Sequence, residues 1–339
     1  MHSSAVGKGG RGVSETLLKI DAAERIFGGG KTLFGSPLPA VHALRGVSIE
    51  VQRGETLGIV GESGCGKSTL ARILVGLDQP TCGAITYDGE DLCALARADG
   101  RQLARKIQYV FQDPLASLNP RKTIRAILEA PLVHLLGMDK PARQSRVEEL
   151  MQAVNLAPEF LERYPHEFSG GQAQRIGIAR ALAADPELIV LDEPVSALDV
   201  SVQAQVLNIL DDLKQRFNLT YLFISHDLSV VESVSDRVAV LYFGKLAEVG
   251  PARSVFSAPR HPYTHLLLQS APAPGRKPTA VENAETELPD PYNPPPGCAF
   301  HARCPRRSNL CLQSEPPLEP SPIDDRHFAA CHHPHGRTS

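Results

Sequence analysis

"GESGCGKSTL", residues 61–70, follows the apolar run "TLGIV" (56–60) and leads into "KSTLARILVGL" (67–77), a stretch with helical character. The pattern G-x-x-x-x-G-K-[ST] runs from Gly61 to Ser68, and a strand before it with a helix after it is the context that makes it credible. Glycines let backbone N–H groups turn inward around phosphates, and the helix N-terminus adds partial positive charge. The pattern therefore assigns nucleotide contacts to Gly61, Glu62, Ser63, Gly64, Cys65, Gly66, Lys67, Ser68 and Thr69. Lys67 is expected on the β- and γ-phosphates and the Ser68 hydroxyl on Mg²⁺. Cys65 reads as a small loop residue, not a redox centre.

Outward from this loop, strands and helices alternate, which implies a mainly parallel α/β sheet. "GAITYDGEDL" (83–92) reads as a hairpin turning at Asp88-Gly89, and "RVAVLYF" and "KLAEVG" as strands joined at Gly244. From about 115 to 168 the pattern turns helical, with Val147, Leu150, Met151 and Val154 on one face. A later helix places Val202, Val206, Ile209, Leu210 and Leu213 inward. "ELIVLDEP" is a buried strand ending in two acids: Asp192, placed to hold Mg²⁺, and Glu193, the candidate general base for an attacking water.

A second glycine-rich corner, "EFSGGQAQRIGIARAL" (167–182), precedes a helix but carries no lysine. With "FSGGQ" (168–172), Gln112 after "IQYVF", "SALD" (196–199) and His226 in "ISHD", the chain resembles the ATP-binding subunits of ABC transporters, in family order over roughly residues 17–250. Phe168 departs from the usual Leu, and Ala173 stands where a longer polar side chain is more common. The resemblance implies a P-loop nucleotide-binding domain with a RecA-like core, an antiparallel β subdomain and a helical subdomain at about 115–168. It implies that Ser169, Gly170, Gly171 and Gln172 cover the ATP held by an opposing subunit, that Gln112 serves both Mg²⁺ and catalysis, and that His226 holds the γ-phosphate and the water in line. Phe27 falls where the family stacks an aromatic on adenine.

"VFQDPLASLNPR" (110–121), "HPYTHLLLQSAP" (261–272) and "PPPGCAFHARCP" (294–305) resemble the ATPase subunits of dipeptide and oligopeptide importers, closest to the second-ATPase type, in a group that also imports nickel and glutathione. That resemblance implies a second ATPase chain as heterodimeric partner, two permeases, an extracytoplasmic binding protein, and a peripheral place on the cytoplasmic face of the inner membrane. A P-loop kinase or GTPase would leave the signature and switch histidine without a task. Translation- and DNA-repair-type ABC ATPases would carry two cassettes or long insertions.

Composition agrees with a globular chain of 339 residues, 42% hydrophobic and 22% charged. A net charge of −3 gives no global pull toward nucleic acid. No apolar run nears the eighteen residues a membrane span needs. Residues 1–16 read as a flexible tail, 17–258 as the ATPase domain, 259–297 as a proline-rich linker and 298–339 as a small extension. That extension holds Cys298, Cys304, Cys311 and Cys331, spaced x5, x6 and x19. Four thiolates suit a [4Fe–4S] cluster or structural zinc. The spacing lacks C-x2-C knuckles, and the resemblance favours iron–sulfur; zinc, with His301, His332 and His333 as further donors, and unligated thiols stay open. Arg303, Arg306 and Arg307 are expected to lower the thiol pKa values.

Overall fold

A computed structural model describes residues 15–30, 38–270 and 289–336. Most of the expected N-terminal tail and the middle of the expected linker lie outside the described residues. The first layer is an antiparallel sheet of β1 (Thr16–Gly28), β2 (Ala40–Gln52), β4 (Cys82–Tyr87) and β5 (Glu90–Asp91), ordered β2-β1-β4-β5. Asp88 and Gly89 both take positive φ, as a two-residue hairpin turn with the strands' own twist requires.

The second layer contains β3 (Thr56–Val60), β6 (Ile107–Val110), β7 (Leu188–Asp192), β8 (Thr220–Ile224), β9 (Arg237–Tyr242) and β10 (Lys245–Pro251). β3, β7 and β8 are buried at every position, the burial a parallel sheet covered on both faces demands. Around it pack α1 (Lys67–Leu74), α2 (Leu92–Ala98), α3 (Gly100–Lys106), and the helical subdomain of α4 (Pro114–Ser117), α5 (Ile124–His134) and α6 (Lys140–Ala153). α7 (Gly170–Leu182), α8 (Val200–Phe217), α9 (Leu228–Val234) and α10 (Ala252–Ser257) complete the cassette. Val147, Leu150, Met151 and Val154 are fully buried, each contributing about 1.5–3 kcal/mol of transfer free energy. On α8, Val206, Ile209, Leu210 and Leu213 face the core while Val202 is half-buried. Asn218, left-handed, ends that helix.

The stretch expected to be linker from residue 259 is ordered in its first part. α11 (Pro262–Ser270) is a helix, and Arg260, His261, Tyr263 and Thr264 ahead of and within it are buried. Beyond α12 (Asn309–Gln313), β11 (Leu318–Pro320) pairs with β12 (Phe328–Ala330), and β12 pairs with β10. The large sheet thus runs β11-β12-β10-β9-β3-β8-β7-β6, so the C-terminal segment extends the cassette's own sheet. Glu248, fully buried on β10, ties it down: its carboxylate accepts Arg260 N at 2.7 Å and His261 N at 2.8 Å, and meets His327 Nε2 at 2.6 Å. A carboxylate is tolerated there because each oxygen is hydrogen-bonded. Among the described residues no helix is long and apolar enough to cross a membrane.

Candidate functional site

The strand–loop–helix β3–α1 sets the site. Gly61 cannot be larger, since a Cβ would lie 2.2 Å from the Leu241 carbonyl oxygen; at Gly66, φ is 106° and a Cβ would lie 2.6 Å from Ala43 O. The loop is thereby pressed against β2 and β9. No side chain caps α1, so its first N–H groups are available to an anion. Lys67, buried, donates from Nζ to Gly61 O at 2.6 Å and Glu62 O at 3.0 Å, which fixes its ammonium at the loop centre.

A cleft of ≈ 440 Å³ is lined by Ser63, Gly64, Gly66, Lys67, Ser68 and Thr69 from the loop, together with Gln112, Glu193 and His226; Ala43 adds a wall that the sequence had not flagged. Two chain-distant polar groups converge on one carboxylate. Gln112 Nε2 donates to Glu193 Oε2 at 2.9 Å, and His226 Nδ1 stands 3.0 Å from Glu193 Oε1. Glu193 has φ of 49°, an uncommon backbone for a non-glycine residue, and its N–H is held by Ile224 O at 2.8 Å. Asp192 is buried behind the cleft at the end of β7, with one oxygen accepting the Tyr109 hydroxyl. The oxygen donors of Ser68, Gln112 and Asp192 are of the hard type that Mg²⁺ takes. The site is therefore equipped to cradle phosphates beside an oriented carboxylate.

Other expected residues lie elsewhere. Gly61, Glu62 and Cys65 form the back of the loop and do not line the cleft. Cys65 is buried and its thiol is pushed up by that burial. Phe27, 39% exposed, carries the Arg25 guanidinium on its ring at 4.5 Å and is not part of the cleft wall.

Nor do Ser169, Gly170, Gly171 or Gln172 line the cleft. Ser169 caps α7, accepting Gln172 N at 3.4 Å while Gln172 Oε1 accepts Ser169 N at 3.0 Å. Gly170 is exposed, whereas Gly171 has a packing reason: a Cβ would lie 2.3 Å from Val202 Cγ1. Phe168 fills its buried slot edge-on to Phe160, and Ala173 is fully buried.

The comparisons with known proteins agree with this geometry. A family profile described as ABC transporter matches residues 44–196, and one described as oligopeptide/dipeptide transporter, C-terminal region, matches 247–311. The chain is 51% identical to the oligopeptide transport ATP-binding protein AppF of Bacillus subtilis, over 94% of this chain and 97% of that protein. The chain belongs to the ATP-binding proteins of ABC transporters. As a member of that family this cassette is an ATPase. It is also 50% identical to the dipeptide transport ATP-binding protein DppF of Escherichia coli, over 84% of this chain and 85% of that one. Among solved structures, the ATP-binding cassette MJ0796 bound to ADP and Pi superposes with a TM-score of 0.61 at 30% identity, covering 70% of this chain and 99% of that chain.

The cysteines form a second locus. Cys298, Cys304, Cys311 and Cys331 line one small cavity with His301, His332 and His333. Among the described residues, however, no three or more His, Cys, Asp or Glu side chains stand together as a metal-holding group. The Cys331 sulfur accepts the His333 N–H at 3.3 Å, and the backbone N–H groups of Phe300 and Arg306 act in the same direction on Cys298 and Cys304. Such bonds favour the thiolate, and four sulfur donors around one cavity fit a thiophilic metal. The expected lowering of the thiol pKa values is reversed. Burial pushes Cys298 up to about 12 and Cys331 up to about 11, with the neighbouring cysteines adding to the rise. Arg306 opposes it at Cys304 and Cys331, and Arg307 at Cys304. Arg303 is engaged elsewhere, as a bidentate partner of Glu62 at 2.8 Å for each bond.

Proposed function

We propose that this cassette binds MgATP in the cleft behind Lys67 and hydrolyses it to drive import of dipeptides or oligopeptides. In this reading it works on the cytoplasmic face of the inner membrane. It pairs with a second ATPase subunit, as a heterodimer, beneath two permeases supplied by an extracytoplasmic binding protein. The observation that supports the paired arrangement is the separation of the two glycine-rich corners: the phosphate loop lines the cleft and the signature at 169–172 does not. A signature outside its own cleft is free to close on a partner's nucleotide. Ser169 would give up its cap on α7 to do so, offering hydroxyl and helix N-terminus to the γ-phosphate.

Glu193 polarises the attacking water; Gln112 and His226, each hydrogen-bonded to it, orient the carboxylate and the γ-phosphate. Ser68, Gln112 and Asp192 would hold Mg²⁺, which neutralises phosphate charge when bound. Phe27 would stack on adenine. ATP gripped from two chains favours the closed pair, and loss of phosphate removes the differential contact. Peptide specificity is supported by the C-terminal family match and by the names of the two relatives given above, which cite oligopeptide and dipeptide transport. The test is uptake of labelled di- and oligopeptides into proteoliposomes carrying the complete transporter. ATP-dependent accumulation lost with Lys67→Ala supports the reading, and equal accumulation with that variant refutes it.

The four C-terminal cysteines we infer to bind metal as thiolates, as [4Fe–4S] with zinc the alternative, serving as a staple for a proline-rich segment. Anaerobically purified protein that is brown, with visible absorbance lost on Cys304→Ser, supports the cluster. Colourless protein with stoichiometric zinc assigns zinc instead, and metal-free protein removes the site.

A further inference from the structure

Residue 62 is held by all three of its polar groups. Its N–H donates to the Tyr263 hydroxyl at 2.9 Å, its carbonyl accepts Lys67 Nζ at 3.0 Å, and its carboxylate takes both bonds from Arg303. Two of the three partners come from the chain's C-terminal third, more than 200 positions away in sequence. Tyr263 is fully buried and Arg303 is 8% exposed. Their side chains share an aromatic cluster: Tyr263 lies 4.5 Å from Tyr242 and 5.4 Å from Phe300, with the Arg303 guanidinium 5.7 Å from the Phe300 ring. Arg303 directly precedes Cys304.

We propose that Arg303 and Tyr263 are positioning residues of the ATP site, fixing the phosphate loop from behind through Glu62. The inference rests on the reading of residues 61–68 as the ATP phosphate cradle. Two physical consequences follow. Residue 62 sits directly before Ser63 and Gly64, which line the cleft, so displacing it moves the N–H groups that meet phosphate, and small misplacements in such sites are costly. Glu62 also places a negative charge in a loop that binds a triphosphate, and Arg303 neutralises it. Without Arg303 the carboxylate repels the incoming anion.

The charge term gives a readout that simple packing does not. In the complete transporter, Arg303→Gln is expected to raise the KM for ATP about tenfold, with kcat at saturating ATP within about twofold of the parent. Tyr263→Phe is expected to raise it about threefold. Adding Glu62→Gln to Arg303→Gln removes the stranded carboxylate and is expected to recover most of the lost affinity. Arg303→Lys, which keeps the charge, is expected to stay within about threefold of the parent, and it serves as the folding-competent variant should Arg303→Gln lower the melting temperature. An unchanged KM in both Arg303→Gln and Tyr263→Phe, or a double variant weaker than Arg303→Gln alone, overturns the proposal. Lys67→Ala separates the two readings. Its loss of ATP binding beside an unaffected Arg303→Gln sinks the clamp alone, whereas its normal ATP binding sinks the cradle itself.

Discussion

The phosphate loop and the C-terminal segment meet at Glu62 but are built on opposite plans. The loop is contiguous: eight residues carry glycines, lysine and serine in fixed order, and local backbone geometry makes the cradle. The C-terminal segment works through scattered partners. Glu248 reaches Arg260, His261 and His327, and Arg303 reaches back 241 positions to Glu62. A contiguous device can be read from spacing. A device made of distant pairs cannot, because each partner alone is an ordinary residue.

Breaking the two plans gives effects of different kind. The largest is expected on the cassette side. Glu193→Gln should retain ATP binding and lose about 10²–10⁴-fold in turnover, the scale of a general base; steady-state ATPase of the reconstituted transporter measures it. On the C-terminal side, Glu248→Ala strands the buried N–H groups of Arg260 and His261 and the His327 ring, and should cost about 3–5 kcal/mol. Thermal unfolding reads this as a drop in Tm, with no specific loss of kcat per folded molecule.

The third effect depends on pH. Burial pushes His261 down to about 4, with Glu248 opposing and His335 adding to the shift; its Nδ1 accepts the Tyr263 N–H at 3.0 Å, which requires the unprotonated nitrogen. The folded pKa lies below the ordinary value, so the unfolded chain takes up the proton first. The contribution is full above about pH 6.5 and is lost as pH falls toward 4, on the order of 3 kcal/mol in total. His261→Gln should flatten that slope in pH-dependent unfolding. Smallest is Gly171→Ala, whose Cβ crowds Val202; overpacking of this kind costs about 1–3 kcal/mol. A variant that keeps Tm but loses ATPase would instead assign Gly171 to nucleotide approach.

Much of the cassette was legible. Asp88-Gly89 and Gly244 mark turns whose positive φ values only a short menu of residues tolerates, and Val147 to Val154 repeat with the helical period. The convergence of Gln112 and His226 on Glu193 came with family order, since nothing local links residues 81 and 33 positions apart. Two things escaped. Residues 262–270 form α11 where a linker was expected, because "HPYTHLLLQS" follows Pro259 and the buried residues ahead of it are held by Glu248, an acid whose partners lie on other elements. Arg303 was read beside Cys304 by sequence proximity, whereas in space its charge is engaged by Glu62.

The central claim is that the serine–glycine corner serves a neighbour's nucleotide. Its most direct test is disulfide cross-linking in the complete transporter carrying Glu193→Gln, with Ser169→Cys in this chain and a cysteine in the phosphate loop of the opposing subunit. The account predicts a link between subunits that forms with ATP and fades without it. A link from Ser169→Cys to Ser63→Cys of the same chain, with none between subunits when ATP is trapped, would contradict it.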